Sequence, residues 1–70
     1  MIEITAPMSG KIWKILVEVG AKVNEDDEVA ILEAMKMEIP VVSTAAGTVK
    51  EIKVKEGAPI EAESVIMTLE

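Results

Sequence analysis

A shift of 37 residues lays this chain on itself: Gly10 falls on Gly47, Gly20 on Gly57, Ile15 on Ile52, Val17 on Val54, Ala21 on Ala58 and Leu32 on Leu69. Both halves follow one plan of glycine, apolar segment, second glycine, acidic turn and a further apolar segment. A chain rich in Val, Ile, Gly and Glu produces some matches by chance. Here both glycines and the aliphatics between them move together, which is the mark of a duplicated unit. The 70 residues make one domain, residues 1–70, with the two halves related by an approximate two-fold axis. A chain this short buries only about 60 % of the surface its unfolded form exposes, so the core must be compact.

The apolar segments read as strands. Trp13, Ile15, Val17 and Val19 alternate with Lys14, Leu16 and Glu18, the period of a half-buried strand, which makes Trp13 an edge of the core. Val49, Ile52 and Val54 repeat the spacing of Ile12, Ile15 and Val17. A step of three inside a period of two predicts a bulge or kink in both copies. Val65, Met67 and Leu69 alternate with Ile66, Thr68 and Glu70 as a closing strand. Short strands between Gly and Pro turns predict an all-β sandwich or flattened barrel.

One segment competes with this reading. Glu28 to Glu38 is rich in helix formers, and Ile31 or Leu32 with Met35 and Ile39 would make a helical stripe. The repeat decides otherwise, because Val29 to Glu33 must play the part of Ile66 to Glu70, and Ile39-Pro40-Val41-Val42 continues a helix poorly. The expectation is strand, turn, strand, with the turn close to Met35-Lys36 and Lys36 at its exposed tip. Tight hairpin turns normally use Asn-Gly, Asp-Gly or another glycine to reach positive φ, and this turn has none. A local rule broken without visible compensation points to function or strain.

Composition narrows the chemistry. Seven basic against thirteen acidic residues give a net charge of -6, which repels phosphate backbones and argues against a nucleic-acid partner. The longest apolar run, Val29 to Leu32, is far short of the roughly 20 residues that span a bilayer, and the N-terminus lacks the basic and apolar regions of a signal peptide. The expectation is a cytoplasmic protein without a membrane partner. With no cysteine and no histidine, the thiol nucleophile and the usual general base are missing, and no Gly-rich string matches a phosphate loop. No catalytic residue is assigned, and the chain is expected not to be an enzyme by itself. Glu25-Asp26-Asp27-Glu28 lacks the alternating ligands and central glycine of a calcium loop, so it reads as a solvated turn and no metal site is assigned.

What remains is the string Glu33-Ala34-Met35-Lys36-Met37-Glu38. A free lysine amine is almost wholly protonated at neutral pH, so its acylation needs an enzyme that brings both a base and an activated acyl group. Such an enzyme must grip the neighbours of the amine it selects. Methionines offer flexible, polarizable contacts for a partner's groove, Ala34 adds no bulk, and Glu33 and Glu38 place a carboxylate on either side. On composition alone the plainer reading, two core methionines around an ordinary surface lysine, is the favoured one, because methionine is more often a core residue than a recognition element.

Set midway through the repeat, Ala34-Met35-Lys36-Met37 between Glu33 and Glu38 resembles the attachment motif of the biotinyl (biotin carboxyl carrier) domains of the biotin/lipoyl attachment family. Ala6-Pro7-Met8-Ser9-Gly10 resembles their opening turn and Val19-Gly20-Ala21-Lys22-Val23 their first turn. Ala46-Gly47-Thr48-Val49 and Glu56-Gly57-Ala58-Pro59-Ile60 are similar to the corresponding parts of the second half. The resemblance covers nearly the whole chain. It implies a flattened eight-stranded barrel, or sandwich of two four-stranded antiparallel sheets, with quasi-two-fold symmetry. It also implies biotin bound covalently to Lys36 by a biotin protein ligase that recognises Glu33, Ala34, Met35, Met37 and Glu38. The carrier would then shuttle a carboxyl group between biotin carboxylase and carboxyltransferase subunits or domains. Ile15 to Gly20 runs straight to its turn with no room for the inserted thumb of bacterial acetyl-CoA carboxylase carriers, so the chain is similar to thumbless members. No Ala/Pro-rich linker is present, which leaves a free-standing protein and an excised domain both open. Two alternatives stand beside biotin carriage: a lipoyl carrier, whose lysine usually lies between an acidic residue and alanine, and an unmodified β-sandwich interaction module.

Overall fold

The computed structural model describes residues 2–70. Eight strands follow one another: β1 Ile2–Thr5, β2 Gly10–Ile15, β3 Lys22–Val23, β4 Glu28–Ala34, β5 Met37–Val42, β6 Gly47–Ile52, β7 Pro59–Ile60 and β8 Val65–Leu69. Two four-stranded antiparallel sheets result, in the orders β1-β8-β6-β3 and β5-β4-β2-β7. The shift of 37 carries β1 onto β5, β2 onto β6, β3 onto β7 and β4 onto β8, so it exchanges the two sheets. Each sheet contains two strands from each half, and neither half has a sheet of its own. The expected all-β sandwich with quasi-two-fold symmetry is what the chain forms.

The core obeys the same symmetry. Ile4, Ile12, Val29 and Leu32 of the first half are buried together with their counterparts Val41, Val49, Ile66 and Leu69. The hydrogen bonds that lock the turns are also paired. Gly20 N–H donates to the Val49 carbonyl at 2.8 Å and Gly57 N–H to the Ile12 carbonyl at 2.6 Å. Asp26 N–H donates to the Ser43 carbonyl at 2.8 Å, and Glu63 N–H to the Ala6 carbonyl at 2.9 Å. Asp26 and Glu63, also 37 apart, both have left-handed backbone, with φ of 71° and 68°. The acidic turn is built by its own carboxylate: Asp27 Oδ2 accepts the N–H of Asn24 at 2.8 Å, an arrangement that favours turns over regular structure.

Both predicted bulges are present at equivalent places. The pairing of β2 with β4 passes from Ile12↔Leu32 to Lys14↔Ile31, leaving Trp13 as the extra residue. That of β6 with β8 passes from Val49↔Leu69 to Glu51↔Thr68, leaving Lys50. The bulge corrects two expectations. Trp13 is not a core edge but 42 % exposed, with the Lys14 ammonium 5.1 Å from its ring centroid, within cation–π range. The strand also does not continue in alternation to Val19; it ends at Ile15, Val19 is exposed, and the fully buried side chain of β2 is Ile12. The extra residue shifts the inward phase, so alternation counted across it is wrong on one side. A third correction concerns β8, expected to alternate between core and solvent. Ile66, Met67, Thr68 and Leu69 are all buried: Ile66 is an extra residue where the pairing with β1 slips from Ile4↔Met67 to Thr5↔Val65, and Thr68 is flanked by Glu3 on β1 and Glu51 on β6.

Candidate functional site

The disputed segment is a hairpin. β4 and β5 pair from Glu28↔Val42 to Ala34↔Met37, so Met35 and Lys36 are the two residues that turn beyond the last pair. Their φ values are 52° and 63°, and positive φ at both central residues is the type I′ pattern that matches strand twist in a two-residue hairpin. Non-glycine residues reach this region at a cost of roughly 1–2 kcal/mol each. The two strands and their fixed register impose the conformation on residues that do not favour it. No cavity opens among the described residues, and Lys36 stands exposed at the tip of the turn.

The string predicted as a unit splits into three layers. Met35, 88 % exposed, and Met37, 63 % exposed, flank an exposed Lys36 for which the structure gives no hydrogen bond or ion pair among the described residues. Below them Glu33 and Glu38 face each other across the ladder, both exposed. Like charges directly opposite each other destabilise a sheet, and Lys11 on β2 stands on the other side of Glu33 in the same row. Opposite Met37 in the last pair of the ladder, Ala34 is buried. Its methyl is not on the surface; it seats the turn on β2.

Gly10 makes that seat possible, and the sequence did not reveal its part. A Cβ at Gly10 would collide with the Glu33 carbonyl oxygen and stand 3.0 Å from the Ala34 Cβ. The repeat marks Gly10 as one of a pair, but only the fold shows that its missing side chain lets β2 approach Glu33 and Ala34 at the end of β4. Its counterpart Gly47 is less confined, with Glu70 O at 3.0 Å and Leu69 Cβ at 3.3 Å. Gly10→Ala is therefore expected to cost about 1–3 kcal/mol, as overpacking against backbone does, and Gly47→Ala less. Urea titration of the two variants checks the ranking, and a larger loss at Gly47 would contradict it.

Comparison with known proteins places these features in a family. The family model described as "Biotin-requiring enzyme" matches residues 2–69. A biotin/lipoyl attachment protein of Bacillus subtilis is 44 % identical over 66 residues, covering 94 % of this chain and 90 % of that protein. A biotin carboxyl carrier protein of Streptococcus mutans is 47 % identical over 64 residues, covering 91 % of this chain and 49 % of that protein. Among solved structures, Kluyveromyces lactis urea carboxylase matches with a TM-score of 0.90 and 34 % identity, over 96 % of this chain and 6 % of that one. The chain thus spans most of the Bacillus protein, about half of the Streptococcus protein and a small part of the carboxylase. The two-fold sandwich, its paired bulges and the lysine hairpin at the end of β4 all stand within this relationship, and the chain belongs to the biotin/lipoyl attachment family, as a biotinyl domain.

Proposed function

We propose that this chain, as a single domain of residues 1–70, is a biotin carrier whose attachment point is Lys36. The observation that carries the reading is the hairpin. Of the seven basic residues, all lysines, Lys36 alone has left-handed backbone, at the apex of a turn held by β4 and β5. An acyl-transfer enzyme that reads this shape together with Met35, Met37, Glu33 and Glu38 has what it needs to choose one amine out of seven. Ala34 serves the same recognition from beneath, by fixing the height of the turn.

The residues present fit a covalently attached group. The Lys36 amine is exposed and uncommitted, and nothing surrounds it that a tethered ring would have to displace. A biotin protein ligase forms the amide, removing one positive charge and taking the net charge from -6 to -7. When bound, biotin supplies the group that takes up and releases carboxyl; the protein's part is to tether, expose and deliver it. Holding a cofactor on a carrier raises its effective concentration at each site it visits without any new contact. The relatives named as carboxylases support biotin carboxylase and carboxyltransferase subunits or domains as the partners. The described residues include no helix long and apolar enough to cross a membrane. The net charge of -6 disfavours nucleic acid as a partner, and a cytoplasmic location without a membrane partner is part of the same proposal.

Incubation of the purified chain with a biotin protein ligase, ATP and biotin tests the proposal, with a lipoate ligase and lipoate in parallel. Wild-type chain is expected to take up biotin and Lys36→Arg none, with little lipoate on either, since methionines replace the acidic residue and alanine usual around a lipoyl lysine. Biotin on Lys36→Arg would overturn the assignment of the lysine. Preference for lipoate would make the chain a lipoyl carrier, and modification by neither would leave an interaction module.

A further inference from the structure

The four methionines among the described residues fall into two environments. Met67 is fully buried in β8, at 0 % exposure, whereas Met35 and Met37 are among the most exposed large apolar side chains of the molecule. Met8, at 37 %, lies between them in exposure, in the turn that leads into Gly10. Exposing two large thioethers gains nothing for folding, since neither adds to the core. Both sit next to the one lysine that an enzyme has to recognise.

We infer that Met35 and Met37 form a peroxide-reactive modification site whose oxidation closes Lys36 to its ligase; this rests on the carrier reading above. Thioether oxidation needs only that the oxidant reach sulfur. A sulfur lone pair attacks one oxygen of hydrogen peroxide, the O–O bond breaks, an S–O bond forms, and water leaves. Sulfur is oxidised by two electrons and the peroxide is reduced by two. The product is a polar, chiral sulfoxide in place of a flexible apolar thioether, and it is reversible by methionine sulfoxide reductases.

The geometry makes this change local. Because Met35 lies outside the ladder and Met37 is exposed at its last pair, a sulfoxide on either is solvated and leaves the core intact. What changes is the surface that an apolar groove of the ligase must cover. Burying a sulfoxide there strips a strong hydrogen-bond acceptor of water, on both flanks of the amine to be acylated. The like-charged pair Glu33 and Glu38 directly below offers no donor to compensate it. Lys36 itself is chemically untouched, so the modification acts on selection of the lysine, not on its amine.

Brief treatment with hydrogen peroxide, followed by peptide mass mapping and a ligase assay, tests the inference. Met35 and Met37 are expected to gain one oxygen each before Met67 gains any, and the initial rate of biotin uptake is expected to fall on the order of tenfold, the effect of losing about 1.4 kcal/mol in recognition. Reduction by a mixture of both methionine sulfoxide reductases is expected to restore the rate. Met8→Leu is expected to show the same loss and recovery, which assigns the effect to the hairpin. Oxidation of Met67 in step with Met35 and Met37, an unchanged rate on the oxidised chain, or loss of the effect in Met8→Leu would each overturn the inference while leaving the carrier reading intact. Failure of the untreated chain to accept biotin would overturn both.

Discussion

Replacing Met35-Lys36 by Asn-Gly is expected to make this protein more stable and entirely unable to accept biotin. The turn holds two non-glycine residues at φ of 52° and 63°, in the left-handed region where ordinary side chains crowd the backbone. Asn-Gly is the pair that two-residue hairpins of this type favour, because neither residue resists positive φ. The relief is partly offset by the greater freedom glycine has in the unfolded chain, so the net gain is about 1–2 kcal/mol. Thermal and urea unfolding measure it. A double variant no more stable than the parent would mean that the turn is not strained and that Met35-Lys36 costs the fold nothing. A protein whose most distinctive turn can be improved by two substitutions has kept the poorer pair for something other than folding.

The second large effect lies in the core beneath the hairpin. Leu32 faces inward from β4, paired with Ile12 on one side and Ile39 on the other, and is completely buried. Leu32→Ala is expected to cost about 2–5 kcal/mol through lost burial and an incompletely closed cavity. A chain of 70 residues, at roughly 0.05–0.15 kcal/mol per residue, rests on only about 3.5–10 kcal/mol in total. This one substitution therefore removes a large part of the stability, and a fraction of the molecules should be unfolded at ambient temperature. Ile15→Ala should cost less than its apolar character implies, because Ile15 is only half-buried at the end of β2. Equilibrium urea unfolding of the two variants checks the order. An Ile15 loss equal to that at Leu32 would mean that the core extends past the bulge.

Much of this architecture was legible in the sequence, and the reason is the repeat. Local propensity over Glu28 to Glu38 favours a helix, yet the counterpart of Val29 to Glu33 within it, Ile66 to Glu70, alternates in sequence as a strand, and Val65–Leu69 forms one. The duplication thus supplied non-local information that single-residue preferences lack. The same device located both bulges. Where it failed, the failures share a physical cause. Counting in twos from Ile15 turns Trp13 inward, but Trp13 is itself the extra residue of the bulge, and its large aromatic side chain is exposed as its counterpart Lys50 is. β8 was read as half-exposed because its own pattern alternates. Its run of buried residues begins at a further bulge, where Ile66 is the extra residue opposite β1, and no pattern within the strand encodes that.

The site was legible in outline and not in its construction. Lys36 at a hairpin tip follows from the register of β4 on β5, which the repeat anticipates. That Ala34 is a buried seat and not part of the displayed surface depends on the approach of Gly10, some two dozen residues earlier in the chain. Sequence spacing carries no sign of that contact. The opposition of Glu33 and Glu38 likewise appears only when the two strands fold back on each other. Their repulsion is a further cost, beside the strained turn, concentrated at the one end of the molecule that is proposed to meet an enzyme.

The intact mass of the chain coexpressed with a biotin protein ligase, with fragmentation to locate any adduct, tests whether the hairpin directs biotin to Lys36. The expected spectrum shows a single added biotin, all of it on Lys36, with the other six lysines unmodified. Biotin spread over several lysines, or placed on any one of those six, would show that the hairpin does not select the amine, and an unmodified mass in the presence of active ligase and biotin would contradict the carrier reading itself.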